Sequence, residues 1–458
     1  VLHRTRRRLL AVGLITLVLA AGCTRSSDEK ETGTVAGDSS TTTTAAAAEK
    51  AGSFGDLGEV CGPGDAKGAT ARGVTDDSIS ITTLGDPSNT VKPGLGQQFF
   101  DIGDAFVKWC NDAGGINGRK IVLHKRDAKL FEAAARVIEA CQTDFMLVGG
   151  GTPLDDATVK PRTDCDMGNI PSYVTSVPAI NGPNQARPQP TPVDQVMTGP
   201  FFQIAKYVPG SGKGVAIEMH NGPGGPATGA RYKDSVELGG LKVTNLTLNP
   251  STGVDNWRPY LEQMRSSGAT MVGTVAVPDY SSFVTTMKDI GWEPDALIVL
   301  GAGYEGATID AAKSAPFPKN SWAMANTYPF ELAQDNPATQ QLLDLLHSVA
   351  PAAKPAAFHV RSLSAFLLWA TSVKACGSEV TTTCVIDKAV AHTDWTGGGL
   401  HPANAVGPKA EMSPCFALMK ITPEGFVYDK KATAPTEGIY NCDPKNVPKL
   451  TKSYDDIK

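Results

Sequence analysis

The sequence predicts an α/β protein of two lobes, each a doubly wound parallel sheet. Short apolar runs alternate with segments of three-to-four periodicity, and alternating β and α units build doubly wound sheets. The cycle starts twice, at Gly73 and again after Pro200. About 400 residues follow the amino-terminal region, more than one core usually holds, so two lobes are expected.

The first strand is expected over residues 79–84, followed by a polar loop over 85–96. In the next helix Phe99, Ile102, Phe106, Trp109 and Ala113 form one apolar stripe. Gly114 and Gly115 then supply residues able to take the left-handed conformation that ends helices. A strand over 120–124, a helix carrying Ala134, Val137, Ile138 and Cys141, and the run 145–148 complete the first set. Unbroken apolar runs of this length suit parallel strands covered on both faces. The second set has strands over 215–219, 243–248, 271–277 and 296–300. Its helices lie near 228–238, around Trp257, Leu261 and Met264, and around Phe283, Met287 and Ile290. A long helix over about 355–375 comes next, and residues 416–440 read as strands and turns.

Ahead of the folded part, Arg4, Arg6, Arg7 and Arg8 precede an apolar run over 9–21 that ends Leu19-Ala20-Ala21-Gly22-Cys23. This order reads as an export signal over residues 1–22, because a spanning helix needs about 20 apolar residues and this run is shorter. The small residues before Cys23 resemble a bacterial lipobox, which implies lipidation of Cys23 and anchoring at the outer face of the cell membrane. The segment 5–10 also hints at a twin-arginine signal, so the export route stays open. A lipidated, disordered tether is expected over 23–60. Its composition is most extreme from Thr24 to Gly52, where Ser, Thr, Ala and charge leave too little apolar surface to offset ordering entropy.

The net charge of −5 gives no basis for a nucleic-acid partner, which would call for a basic patch. Nine cysteines are present, and setting Cys23 aside leaves an even number, as disulfides in an exported chain require. None has the C-x-x-C spacing of a zinc site, so no metal is expected. Pairs near in sequence are the economical assignment: Cys61 with Cys110, Cys141 with Cys165, Cys376 with Cys384, and Cys415 with Cys442.

Two stretches carry a family resemblance: Gly73-Val74-Thr75-Asp76-Asp77-Ser78-Ile79 before the first strand and Asn111-Asp112-Ala113-Gly114-Gly115-Ile116-Asn117-Gly118-Arg119-Lys120 after the first helix. They resemble the type I periplasmic solute-binding proteins, in particular the branched-chain amino-acid binding group, and the likeness in order of elements runs from about Gly73 to Tyr440. The resemblance implies two lobes joined by three crossover strands, with a small solute enclosed between them and delivered to an ABC permease. It places lobe one at 73–192 and 321–393 and lobe two at 193–320 and 394–458, with crossovers near Pro192, Ser321 and Asp394. Each proposed disulfide then lies within one lobe, leaving the hinge free. A monomer without cofactor or catalysis is implied, binding an amino acid or similar small carboxylate.

Ligands of open α/β sheets sit beyond the carboxyl ends of the strands. The first such loop here is Gly149-Gly150-Gly151-Thr152, whose backbone N–H groups can approach a carboxylate and whose Thr152 hydroxyl would touch it as in similar binding proteins. The same residues also suit a plain strand-to-helix turn. In the second loop, Thr175 and Ser176 match positions that present backbone and hydroxyl groups to the carboxylate in the family. The third holds Asp279 where amino-acid binders receive the ammonium group, beside Tyr280, although an aspartate there is equally a helix cap. His220 and Asn221 come from a fourth loop, and Tyr304 with residues 86–89 completes the rim, where an aromatic can clamp an apolar portion.

Rival chemistry has little support. Gly301-Ala302-Gly303-Tyr304-Glu305-Gly306 fits G-x-G-x-x-G, but no second strand ending in an acid follows at the required distance, which weighs against a nucleotide-dependent oxidoreductase. Gly210-Ser211-Gly212-Lys213-Gly214 lacks the first glycine and the final hydroxyl of a phosphate loop. There is no H-E-x-x-H pair and no G-x-S-x-G elbow. A lipoprotein of the same fold that senses its ligand and signals to a membrane receptor remains an alternative.

Overall fold

In the computed structural model, which describes residues 51–250 and 253–457, the first strand, β1 (Ser78–Gly85), lies inside a four-stranded parallel sheet of order β2-β1-β3-β4. Its partners are β2 (Lys120–Asp127), β3 (Met146–Val148) and β4 (Gly168–Ile170). The intervening helices are α1 (Gln97–Asp112), α2 (Ala133–Thr143) and α3 (Asp156–Asp164), with a short α4 (Val177–Ile180) after β4. Burial of Phe99, Ile102 and Phe106 bears out the α1 stripe, with Trp109 and Ala113 half-buried against the same core. The helix stops where expected, and at Gly115 (φ +84°) an added Cβ would lie 2.1 Å from the Arg119 carbonyl oxygen, so only glycine fits.

The second sheet has seven strands in the order β11-β10-β9-β8-β7-β5-β6. After α5 (Gly199–Tyr207) come β5 (Val215–His220), α6 (Gly225–Leu238), β6 (Val243–Asn249), α7 (Arg258–Ser266), β7 (Met271–Thr274), α8 (Tyr280–Asp289), β8 (Ala296–Val299), α9 (Gly306–Ser314) and β9 (Ser321–Ala325). These strands are parallel. The chain then returns to the first sheet with α10 (Pro337–Val349), α11 (Ala357–Cys376) and α12 (Thr382–Val390), which pack on α1, β3 and β4 and on one another. It ends on the second sheet with the antiparallel strands β10 (Ala417–Thr422) and β11 (Gly425–Tyr428), followed by α13 (Lys430–Thr433). The chain thus crosses between the sheets three times.

Three boundaries differ from expectation. The last crossing does not fall near Asp394, because the chain stays on the first lobe beyond it: Trp395 Nε1 donates to Ser364 Oγ of α11 at 2.9 Å, and the Val406 N–H donates to the His392 carbonyl at 3.0 Å. Ser321–Ala325 is not the start of a first-lobe segment but a buried strand of the second sheet, paired with β8 and β10, so the second crossing falls after Ala325. Residues 54–60 are not tether. Phe54 is buried edge-on against Trp109, Val60 is buried, and Cys61 is bonded to Cys110 of α1. One aromatic ring and one disulfide outweigh the polar composition around them. Gly52 is buried as well, its carbonyl accepting from the Val60 and Cys61 N–H groups, whereas residues 23–50 of the expected tether, the export signal and Cys23 lie outside the described residues. No helix among the described residues is long and apolar enough to cross a membrane.

All four expected cysteine pairs are bonded: Cys61–Cys110, Cys141–Cys165, Cys376–Cys384 and Cys415–Cys442. None bridges the two sheets. Cys415 and Cys442 also form, with Glu437, a cluster close enough to share an ion, but as a disulfide they offer no thiolate.

Candidate functional site

The carboxyl ends of the parallel strands of both sheets open on a common cleft. Its outer compartment, about 260 Å³, is walled by Val91, Leu95, Leu130 and Tyr173 from the first sheet's loops and by Met219, Val275, Val277 and Tyr280 from the second. An inner compartment of about 190 Å³ lies toward the crossings and is lined by Met324, Asn326, Pro402 and Asn404. The two are contiguous, sharing Tyr173, Thr175, Met219, Val275, Gly301 and Arg361.

Apolar side chains dominate the outer walls, and the aromatic floor is ordered by packing. Tyr173 stacks on Phe358 at 5.1 Å between ring centroids, and Phe99 closes on the same ring at 5.1 Å. Polar groups are few and converge on definite points. Arg361, carried by α11, has its guanidinium 5.7 Å from the centre of the Phe358 ring and donates to Asn326 Oδ1 at 3.3 Å. Its Nε is buried without a partner, and no carboxylate among the described residues pairs with it. Burial pulls its pKa down from the ordinary arginine value, the response of a charge with weak compensation. On the opposite rim Lys92 and Glu305 form an ion pair at 2.8 Å, reaching from the loop after β1 to the start of α9.

The backbone of this cleft belongs to a known architecture: the periplasmic binding protein family model matches residues 94–426. The chain belongs to the periplasmic binding protein family. Membership makes it an extracytoplasmic solute-binding protein of the ABC-transporter type. A search of curated proteins returned no match. Among solved structures it is similar to the fatty acid ABC transporter substrate-binding protein from Thermomonospora curvata, at 15% identity and a TM-score of 0.66, covering 84% of this chain and 97% of that one. The branched-chain amino acid binding protein LivJ of Streptococcus pneumoniae, in complex with isoleucine, matches at 14% identity and TM-score 0.61, over 77% of this chain and all of that one. A solute binding protein from R. palustris in complex with 4-hydroxybenzoate matches at 18% identity and TM-score 0.60, over 77% and 96% of the two chains. At these identities the likeness shows the fold.

Against this binding-protein frame the predicted site residues divide. Thr175, His220 and Tyr280 line the cleft. The Thr175 backbone N–H donates to Asp155 Oδ2 at 2.6 Å, His220 Nδ1 accepts from the Gly222 N–H at 3.0 Å, and the Tyr280 hydroxyl shares a hydrogen bond of 2.9 Å with Thr274. Burial holds the His220 pKa below its usual value, favouring the neutral ring.

The others lie outside the lining of both compartments. Gly150, Gly151 and Thr152 surround a small pocket inside the first lobe. The Gly149 and Gly151 N–H groups donate to the Ile170 and Leu84 carbonyls, so they are not offered to a ligand. A Cβ on Gly151 would lie 2.5 Å from the Tyr173 ring, so that glycine is required for packing the floor. Ser176 is buried and caps α4, accepting from the Ala179 N–H at 3.2 Å. Asp279 caps α8 through the Ser281 and Ser282 N–H groups and is exposed, outside the cleft lining. Asn221 pairs its N–H with the Asn249 carbonyl, and Tyr304 is buried between Phe330 and Phe426 with its hydroxyl donating to Glu331. The glycine motif around Tyr304 is therefore a strand-to-helix connection that sends Tyr304 into the core while Gly301, Gly303 and Glu305 line the cleft.

Sequence reasoning missed Arg361, Lys92 and Glu305. Arg361 falls in a helix apolar on nearly all sides, and a lone arginine in such a run, at Phe358-His359-Val360-Arg361, is the available signal. A charge placed among buried positions is rarely left without a role.

Proposed function

We propose that this lipoprotein, anchored at Cys23 on the outer face of the membrane, captures a small carboxylate with an apolar body and hands it to an ABC permease without chemical change. The observation that carries the reading is Arg361, a cation with no carboxylate partner among the described residues, at the junction of a cleft whose outer walls are mostly apolar. An unpaired charge in such a site is costly until an anion arrives, and a guanidinium binds a carboxylate with two parallel hydrogen bonds. The apolar walls would take the remainder of the solute.

An amino acid would also need a receiver for its ammonium group. Asp279 is turned to its own helix, and Glu305 is already paired with Lys92. This favours fatty or aromatic carboxylic acids, the classes named for the Thermomonospora curvata and R. palustris proteins, over leucine-like ligands.

A thermal-shift panel of octanoate, 4-hydroxybenzoate, leucine and a neutral sugar tests this. Octanoate or 4-hydroxybenzoate at about a hundred times Kd should stabilise the fold by about 2.7 kcal/mol. Arg361→Met should weaken that binding at least about tenfold. Stabilisation by the sugar alone, or undiminished affinity in the variant, would remove the carboxylate from the proposal.

A further inference from the structure

The cleft carries more positive charge than one carboxylate answers. Arg231, on α6 of the second lobe, is 4% exposed. Its guanidinium donates to the Pro192 carbonyl at 3.3 Å and to Thr228 Oγ1 at 2.8 Å, both neutral, and its Nε is buried with no partner. Arg361, on α11 of the first lobe, is in the same position: one neutral acceptor, Asn326, and an unpartnered Nε. No carboxylate pairs with either among the described residues. Both arginines line the inner compartment of about 190 Å³, and Tyr232 lies within electrostatic reach of each.

Three more residues lining this compartment carry buried oxygen atoms without a hydrogen-bond partner: Ser172 Oγ, Gln189 Oε1 and Ser413 Oγ. Buried polar atoms left unpaired in a native fold call for an explanation, and five of them around one cavity point to a polar guest. Two guanidinium groups without counter-charge further specify that the guest is anionic at more than one point. The outer compartment differs, since its one carboxylate, Glu305, already has its cation.

We propose that the inner compartment takes a second carboxylate of the same solute, so that Arg361 and Arg231, one from each lobe, grip the two acidic groups of a dicarboxylate whose apolar portion spans the space between them. The inference rests on the carboxylate reading above. It adds a closing force as well as a specificity, because the ligand itself would tie α6 to α11 only when the lobes are together.

Titration calorimetry of the full chain with matched pairs tests it: octanoate against octanedioate, and benzoate against benzene-1,4-dicarboxylate. The diacid of at least one pair should bind at least about tenfold tighter than its monoacid, the range expected for a charge-assisted bidentate contact. Arg231→Gln should reduce that ratio below about threefold, while Arg231→Lys, which keeps the charge, should retain part of it. If Arg231→Gln does not fold, the wild-type ratios with the lysine variant still decide. Equal affinity for monoacid and diacid in both pairs would overturn the dicarboxylate assignment and leave the carboxylate reading standing. Binding of neither would overturn both. A preference that survives Arg231→Gln intact would remove Arg231 from the site.

Discussion

Glu218 is fully buried in the middle of β5, where its Oε2 accepts from the Val275 and Ala276 N–H groups at 3.1 Å each and its Oε1 has no partner. Burial pushes its pKa up to about 7, because a carboxylate without a cation is poorly accommodated there. An acid whose folded pKa lies above its unfolded value costs stability once the unfolded chain ionises, so the penalty grows as pH rises through the 4.5–7 window. Asp86 and Asp155, raised to about 6 by burial, act in the same sense. His359, lowered to about 3, and His401, lowered to about 4, act in the opposite sense, losing stability as pH falls below the unfolded histidine value. The variant difference isolates one group from this mixture. Glu218→Gln keeps an acceptor for both N–H groups, and its stability relative to wild type should rise by about 1–3 kcal/mol between pH 4 and pH 8, read from urea midpoints. A difference that does not change with pH would show that Glu218 ionises without penalty. The cysteine pairs were legible at this scale because proximity in sequence is a physical prior for loop closure. Arg361 was not, because an arginine on a helix reads as a solvated face until the packing around it is known.

Elements were legible in proportion to the regularity of their apolar pattern. The stripes of α1 and α8 and the runs of β5 and β8 fix both type and position, while β4 has three residues and β9 has two alanines, too little signal to separate a strand from a connection. In β9 the two faces divide between cores, Trp322 and Met324 on one side and Ala323 and Ala325 on the other, so its burial is visible only with both sheets in place. Helix α11 shows the same dependence. It is buried nearly all round because α1, α12 and the first sheet enclose it, and it supplies Phe358 and Arg361 to the cleft from its first turn onward. Its carboxyl end is tied to α12 by Cys376–Cys384. Replacing both cysteines with serine closes no loop in the unfolded chain and should cost about 2–3 kcal/mol, seen as a lower urea midpoint. Carboxylate affinity at 25 °C should stay within about twofold, since a tenfold loss would require about 1.4 kcal/mol at a site that the bond does not touch. A tenfold loss would mean that the α12 end of the helix positions Arg361.

For the whole molecule the governing fact is that each of the four disulfides lies within one lobe, so the contacts across the cleft mouth help decide how firmly the lobes are held together. One is close packing, with an added Cβ on Gly224 falling 3.0 Å from Ser176 Cα. Another is the Lys92–Glu305 pair at 2.8 Å, whose side chains are 29% and 8% exposed. Shielded on the Glu305 side, the pair is worth more than a surface ion pair, about 1 kcal/mol or somewhat above. That energy is present only with the lobes together, so it slows opening and has little effect on encounter. Lys92→Ala and Glu305→Gln should each speed solute release about fivefold in stopped-flow experiments, with association changed much less. If the pair acts as a unit, the double variant should release no faster than the quicker single one. Additive losses would instead mean that each side chain contacts the solute independently, and unchanged release in all three would place the closing force in the ligand and the packed loops alone.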